Sequence, residues 1–222
     1  MEKTIPILII IHAACGGIAL CAGLISMVAQ KGKIVHRKSG LVFFYSMVLC
    51  GISALIVSSL PNHKSPFLFA VGIFSLYFVI TGKRALNFKN KNTNFRVDRL
   101  ISGSMIVTGI LMIFLPVFLT KSINLILVVY AIVGIIFSVR DLILFKQSER
   151  LRKGWLKLHL GKMIGGYISA STAFVVVSEF FSSFYGWFIP GIVGGLIIAF
   201  WMRKINDKKL TINHNASLKK DR

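Results

Sequence analysis

The sequence predicts an all-α protein, a polytopic bundle of seven transmembrane helices with the N-terminus outside and the C-terminus in the cytoplasm. Three observations point there. The 222-residue chain is 55% hydrophobic with a mean hydropathy of +0.75, above the roughly 45–50% apolar share of a soluble domain. Its apolar residues gather in seven runs, most near the roughly 20 residues that a helix needs to cross the hydrocarbon core. Its cations, which bring the net charge to +20, crowd into alternate connections, the pattern that sets orientation.

The first span is read over 5–29. Lys3 before an apolar run suits a signal peptide, but His12 interrupts the run and the apolar stretch continues to Ala29, so a retained helix is expected. One face carries His12, Gly16, Ala19, Gly23 and Ser26. Small residues at this spacing let a neighbouring helix come close. A basic loop with Lys31, Lys33, His36, Arg37 and Lys38 leads to the second span, 40–60. Pro61 and Pro66 bracket a turn. The third span, 67–82, is short and needs little tilt.

A polar loop with Lys83, Arg84, Lys89, Lys91 and Arg96 precedes the fourth span, 98–119. Asp98 opens it, where an acid suits the positive end of the helix dipole. The link Thr120-Lys121-Ser122 leads to the fifth span, 123–145. A basic loop with Lys146, Arg150, Arg152, Lys153 and Lys157 precedes the sixth, 159–181, where Gly161, Gly165, Ser169 and Thr172 form a second small-residue face. The seventh, 185–202, has Trp187 and Trp201 near its ends as interfacial anchors. The seven spans make one membrane domain, 1–202, and the basic remainder, 203–222, reads as a mobile cytoplasmic tail.

The first, third and fifth connections with their flanks hold four, six and seven Lys/Arg, and the tail seven more, which is 24 of the 27. Only Lys3, Lys64 and Lys121 lie on the other side. These cations are expected to meet anionic lipid headgroups of the cytoplasmic membrane. No fold or motif for nucleic acid accompanies the charge, so a nucleic-acid partner is not expected. Cys15, Cys21 and Cys50 all lie in apolar runs, an odd number with no Cys-x-x-Cys, and read as small buried hydrophobes.

Charge inside hydrocarbon costs at least about 2.5–3.5 kcal/mol on insertion scales, so it tends to be paired or functional. His36, Asp98, Arg99, Arg140, Asp141 and His159 all fall near the cytoplasmic interface. One reading of this cluster is interfacial pairing, with Arg99 or Arg140 neutralising an aspartate. The other is a cofactor site. His36 and His159 lie at one depth and could be the axial ligands of a single b-type haem, with Gly40, Gly161 and Gly165 letting a macrocycle approach backbone. With an aspartate, the same histidines could hold zinc. His12, isolated toward the outer side, reads as an interhelical hydrogen-bonding residue. Asp141 needs a partner from another helix, because its neighbour Arg140 points about 100° away. Arg99, His159 and His36 are the candidates.

No Gly-x-Ser-x-Gly, phosphate-binding glycine loop, His-Glu-x-x-His or paired-carboxylate motif is present, and catalysis is not expected. The leading expectation is a non-enzymatic, transporter- or sensor-like membrane protein with a polar cluster at its cytoplasmic face. The alternative is a membrane redox protein holding one b-type haem or a metal.

Several stretches together carry a resemblance: the His12 helix with its glycines, His36-Arg37-Lys38-Ser39-Gly40, Arg140-Asp141, and His159-Leu160-Gly161-Lys162-Met163-Ile164-Gly165-Gly166-Tyr167 followed by Thr172-Ala173-Phe174. In these the chain resembles an uncharacterised bacterial family of multi-pass membrane proteins, domain of unknown function 2306. The resemblance implies a membrane bundle and lends no activity. A looser analogy to diheme membrane cytochromes lacks their second same-depth histidine pair.

The orientation is tested by reporter fusions after Lys64 and after Arg152. They are expected in opposite compartments, and a shared compartment would overturn it.

Overall fold

The structure, a computed structural model, describes residues 4–60, 64–179 and 184–220. Among these the fold is all-helical: α1 (Thr4–Val28), α2 (Ile34–Val57), α3 (Pro66–Arg84), α4 (Arg96–Thr120), α5 (Leu125–Lys146), α6 (Ser148–Val177) and α7 (Ile189–Lys220), with short 3-10 turns at Ala85–Lys89 and Phe184–Trp187. All seven helices are long and apolar enough to cross a membrane. Ile10, Val28 and Phe118 exemplify the large apolar side chains that cover the outside of the bundle. A surface of this kind is far beyond what a protein in water exposes, and suits lipid. The residues of the 61–63 turn and the end of the sixth span at 181 lie outside the described residues.

Local chemistry sets the helix ends. Ser65 caps α3 by accepting from the Leu68 N–H at 3.2 Å, with Pro66 in the first turn. Asn124 caps α5 through the Leu127 N–H at 3.1 Å. Lys121 ends α4 in the left-handed region, with φ of 50°.

Three boundaries differ from the sequence reading. α2 starts at Ile34, not 40, so His36, Arg37 and Lys38 are helical. α6 starts at Ser148, not 159, so the expected basic loop is its first turns. The cause is a buried face: Leu151, Trp155 and Leu158 recur at helical spacing and pack on Ala85, Phe88 and Phe145. Averaged hydropathy hides this face among Arg150, Arg152, Lys153 and Lys157. α7 runs on past Met202 to Lys220, where the sequence reading has a mobile tail. No Gly or Pro interrupts 196–220, so nothing local stops the helix.

α6 is the central helix, packed against α1, α3, α5 and α7. Phe74, Tyr77, Phe78, Met105, Met112, Leu127 and Ala131 form one core between α3, α4 and α5. Ala19, Ala22, Phe43, Met47 and Val79 form another between α1, α2 and α3. Without a hydrophobic drive between helices in lipid, close approach through small residues carries the packing. A Cβ on Gly165 would lie 2.5 Å from the Phe78 ring, and one on Gly23 2.5 Å from the Tyr167 ring. Successive helices alternate in direction, which brings the C-terminal ends of α1, α3 and α5 and the N-terminal ends of α2, α4 and α6 together at one end of the bundle. This is the end rich in Lys and Arg.

A Cβ on Gly166 would stand 2.5 Å from Cγ2 of the fully buried Val79, whose χ1 is stiff. A Cβ on Gly17 would meet nothing within 4 Å. Gly166→Ala is expected to cost about 1–3 kcal/mol through overpacking, and Gly17→Ala to be tolerated. Thermal unfolding of the two variants in detergent checks this.

Candidate functional site

Two kinds of polar feature occupy the basic end of the bundle, buried ion pairs and a cavity. The deeper is an ion pair. Lys162 of α6 and Asp141 of α5 are 1% and 2% exposed, and Lys162 Nζ donates to Asp141 Oδ2 at 2.6 Å. The Tyr77 hydroxyl of α3 donates to the same oxygen at 2.6 Å, and Lys162 Nζ also reaches that hydroxyl at 2.5 Å. The ammonium lies 5.2 Å and 5.3 Å from the Phe78 and Phe137 ring centres. Three helices thus meet in one hydrogen-bonded unit closed off from water.

Nearer the end, Asp98 is fully buried in the first turn of α4. It accepts a two-pronged bond from Arg84 at the end of α3, at 2.6 and 2.8 Å. The pair joins a cation at a helix C-terminus to an anion at a helix N-terminus, the favourable sense for both dipoles.

The second feature is a cavity of about 1070 Å³. It lies between the ends of α1, α2, α3, α6 and α7 and is lined by His36 and His159. Lys31, Arg37, Lys83, Lys89 and Lys204 also line it, with no Asp or Glu. Phe43, Trp155, Tyr167 and Trp201 supply aromatic wall. Lys31 and Lys204 crowd one ring, at 4.4 and 5.1 Å from the Trp201 centre. Burial, and then repulsion from Lys204, holds the Lys31 ammonium below its ordinary pKa.

The two histidines do the same local job. The last carbonyls of a helix have no partner within it. His36 Nδ1 donates to the carbonyl of Ser26 in the last turn of α1 at 2.9 Å, with the Ser26 hydroxyl at 3.1 Å. His159 Nδ1 donates to the carbonyl of Gly82 in the last turn of α3 at 2.7 Å. Gly82 is small enough for this approach: a Cβ there would lie 2.9 Å from Met163 Sδ. A carbonyl oxygen only accepts, so each neutral ring carries its proton on Nδ1 and keeps a lone pair on Nε2.

The sequence-predicted cluster therefore divides. His36 and His159 share the cavity. Asp98 and Asp141 are buried in separate ion pairs, and Arg99 and Arg140 are exposed. The partner of Asp141 does come from another helix, but it is Lys162 and not Arg99, His159 or His36. With both aspartates so engaged, the zinc arrangement of two histidines and an aspartate is not assembled. Among the described residues no group of three His, Cys, Asp or Glu is placed to hold a metal ion. His12 bridges α1 to α2, its Nδ1 being 3.0 Å from the Cys50 carbonyl and 3.1 Å from the Ser53 hydroxyl.

Sequence reasoning missed Lys162, Tyr77 and Arg84. In the sequence Lys162 falls among the flanking cations of the fifth connection, yet it sits between Gly161 and Met163 in an apolar stretch. Its spacing from the glycines of the packed face was the available signal. The charge bias keeps its direction without it. Comparison of the chain with known protein families, with curated proteins and with solved structures finds no match.

Asp141→Ala leaves Lys162 charged and unpartnered in the core, and is expected to cost about 3–5 kcal/mol. Glu149→Ala, at an exposed site paired with Arg152, is expected to be near neutral. The double variant Asp141→Leu/Lys162→Met should recover much of the loss, since an apolar pair needs no counter-charge. Unfolding midpoints of the three variants decide it.

Proposed function

We propose that this chain is a multi-pass protein of the cytoplasmic membrane that takes an anionic, partly apolar ligand into the cavity at its cytoplasmic face, with its N-terminus outside. Such a role fits a transporter- or sensor-like protein and needs no catalytic group. The orientation rests on the one-sided distribution of Lys and Arg. The resemblance to the bacterial membrane family of unknown function is compatible with this role and adds no substrate.

One observation carries the reading: five cationic side chains and four aromatic rings line a single cavity that contains no carboxylate. Elsewhere in the bundle buried charge is neutralised on the spot, Asp98 by Arg84 and Asp141 by Lys162. The cavity cations, of which Arg37, Lys89 and Lys204 are exposed and Lys31 and Lys83 half-buried, have no carboxylate among the lining, and Lys31 and Lys204 repel one another. An anion would remove that repulsion, while the aromatic walls would take an apolar body. The volume is at the top of the usual range for small-molecule pockets, about 300–1,000 Å³, so an inorganic ion alone would leave most of it empty.

A ligand that binds only the folded state raises stability by about 2.7 kcal/mol at a hundred times its dissociation constant. Dodecyl phosphate, added to the protein in dodecyl maltoside, is expected to raise the unfolding temperature in a saturable way. An uncharged amphiphile of the same chain length should not. Lys31→Gln/Lys204→Gln should abolish the effect. A shift equal for charged and uncharged amphiphiles, or unchanged in the double variant, would overturn the proposal.

A further inference from the structure

We infer that the cavity is a haem b site with His36 and His159 as its two axial ligands, a reading that deepens the anionic-ligand role of the same cavity and rests on it. Cations and aromatic rings alone would suit many anionic amphiphiles. They do not account for two imidazoles, from α2 and α6, on the wall of one cavity.

The state of these rings matters more than their presence. An imidazole that binds iron must be neutral at the binding nitrogen, and its other nitrogen characteristically donates to a carbonyl or carboxylate. Both histidines have the second half of this arrangement: Nδ1 is tied to the carbonyl of Ser26 in one case and of Gly82 in the other. Among the described residues neither Nε2 makes a hydrogen bond. The helix ends that hold the rings belong to α1 and α3, so each ring is fixed by a helix other than its own.

Ligand number then separates haem from a bare metal ion. A zinc site needs three or four protein donors, and no such group is assembled among the described residues. A porphyrin fills four positions of the iron itself and asks the protein for only two axial donors. Two histidines with free Nε2 atoms supply that number. The remaining chemistry agrees: a haem presents two carboxylates, for which Lys31, Arg37, Lys83, Lys89 and Lys204 offer cations, and a flat apolar ring, for which Phe43, Trp155, Tyr167 and Trp201 offer surfaces. An inorganic phosphate or a lipid headgroup would use the cations and leave both imidazoles with only the helix-end bonds of their Nδ1 atoms.

The test is titration of the full-length protein in detergent with hemin, followed by absorbance before and after dithionite. The expected result is saturable one-to-one binding with the sharp Soret and split visible bands of a six-coordinate, low-spin iron. His36→Gly and His159→Gly should each lose the low-spin bands, and added imidazole should restore them, which separates loss of a ligand from loss of fold. His12→Gly should leave the spectrum unchanged, and circular dichroism of every variant should match the parent. Hemin that binds with the same spectrum in all variants would overturn the assignment, because the iron would then be held elsewhere. Absence of hemin binding while dodecyl phosphate still stabilises the protein would overturn haem and leave the anion site standing. Absence of both would overturn the two together.

Discussion

The bonded unit of Lys162, Asp141 and Tyr77 is the interaction on which the arrangement of the other helices depends. In hydrocarbon a charge has no water to fall back on, so these three groups must meet or pay heavily. They come from α6, α5 and α3, and their meeting fixes both the rotation and the axial position of α6 against α3. His159 lies three residues before Lys162, nearly on the same face. Once Lys162 reaches Tyr77, His159 falls beside the last turn of α3 and its Nδ1 finds the Gly82 carbonyl. The small side of α6 is then presented to α3 as well, Gly165 to Phe78 and Gly166 to Val79. One ionic contact therefore sets the register of the central helix, and the central helix forms one wall of the cavity.

Each helix end in this region is finished by a group from its neighbour. The last carbonyls of α1 receive His36 and Lys31, and the carbonyl of Gly82 in α3 receives His159. The end of α3 also donates, through Arg84, to the beginning of α4. Satisfying the helix ends and building the cavity are thus the same event. This is why the histidines arrive with a fixed tautomer: the demand comes from orphaned backbone, and the free nitrogen is what remains.

Hydropathy and charge made the spans legible in the sequence, because both depend on composition along one helix at a time. The depth of the polar residues was legible for the same reason, and so His36 and His159 could be placed at one level. What was hidden is pairing between helices. Asp141 announces that it needs a partner, but which helix supplies it depends on rotation about the helix axis, and every cation near that depth competes on equal terms. Arg99 and Arg140 lost because they face outward. Lys162 won from a position that looks, in sequence, like the tail of a basic loop. Tyr77 carries no mark that distinguishes it from the tyrosines of an ordinary apolar run. The start of α6 was obscured because its buried residues, Leu151, Trp155 and Leu158, alternate with cations that lower the local average. Once α6 is seen to begin at Ser148, Lys162 is no longer at its mouth but deep along its length.

α7 differs from its neighbours in how it is held. It contributes Trp201 and Lys204 to the cavity, yet it packs mainly on α6 and on the turn Phe184–Trp187, and it is the least buried of the seven spans. The other walls are interlocked through shared cores and ion pairs. A wall fastened along one edge has fewer contacts to lose than its neighbours. Its outward swing would break the contacts of Lys31 with Trp201 and expose the aromatic lining to the surrounding lipid, leaving the ionic unit of α3, α5 and α6 untouched. For the ligand proposed for this cavity, such a movement would open a sideways path from the lipid, with its charged groups staying at the level of the headgroups.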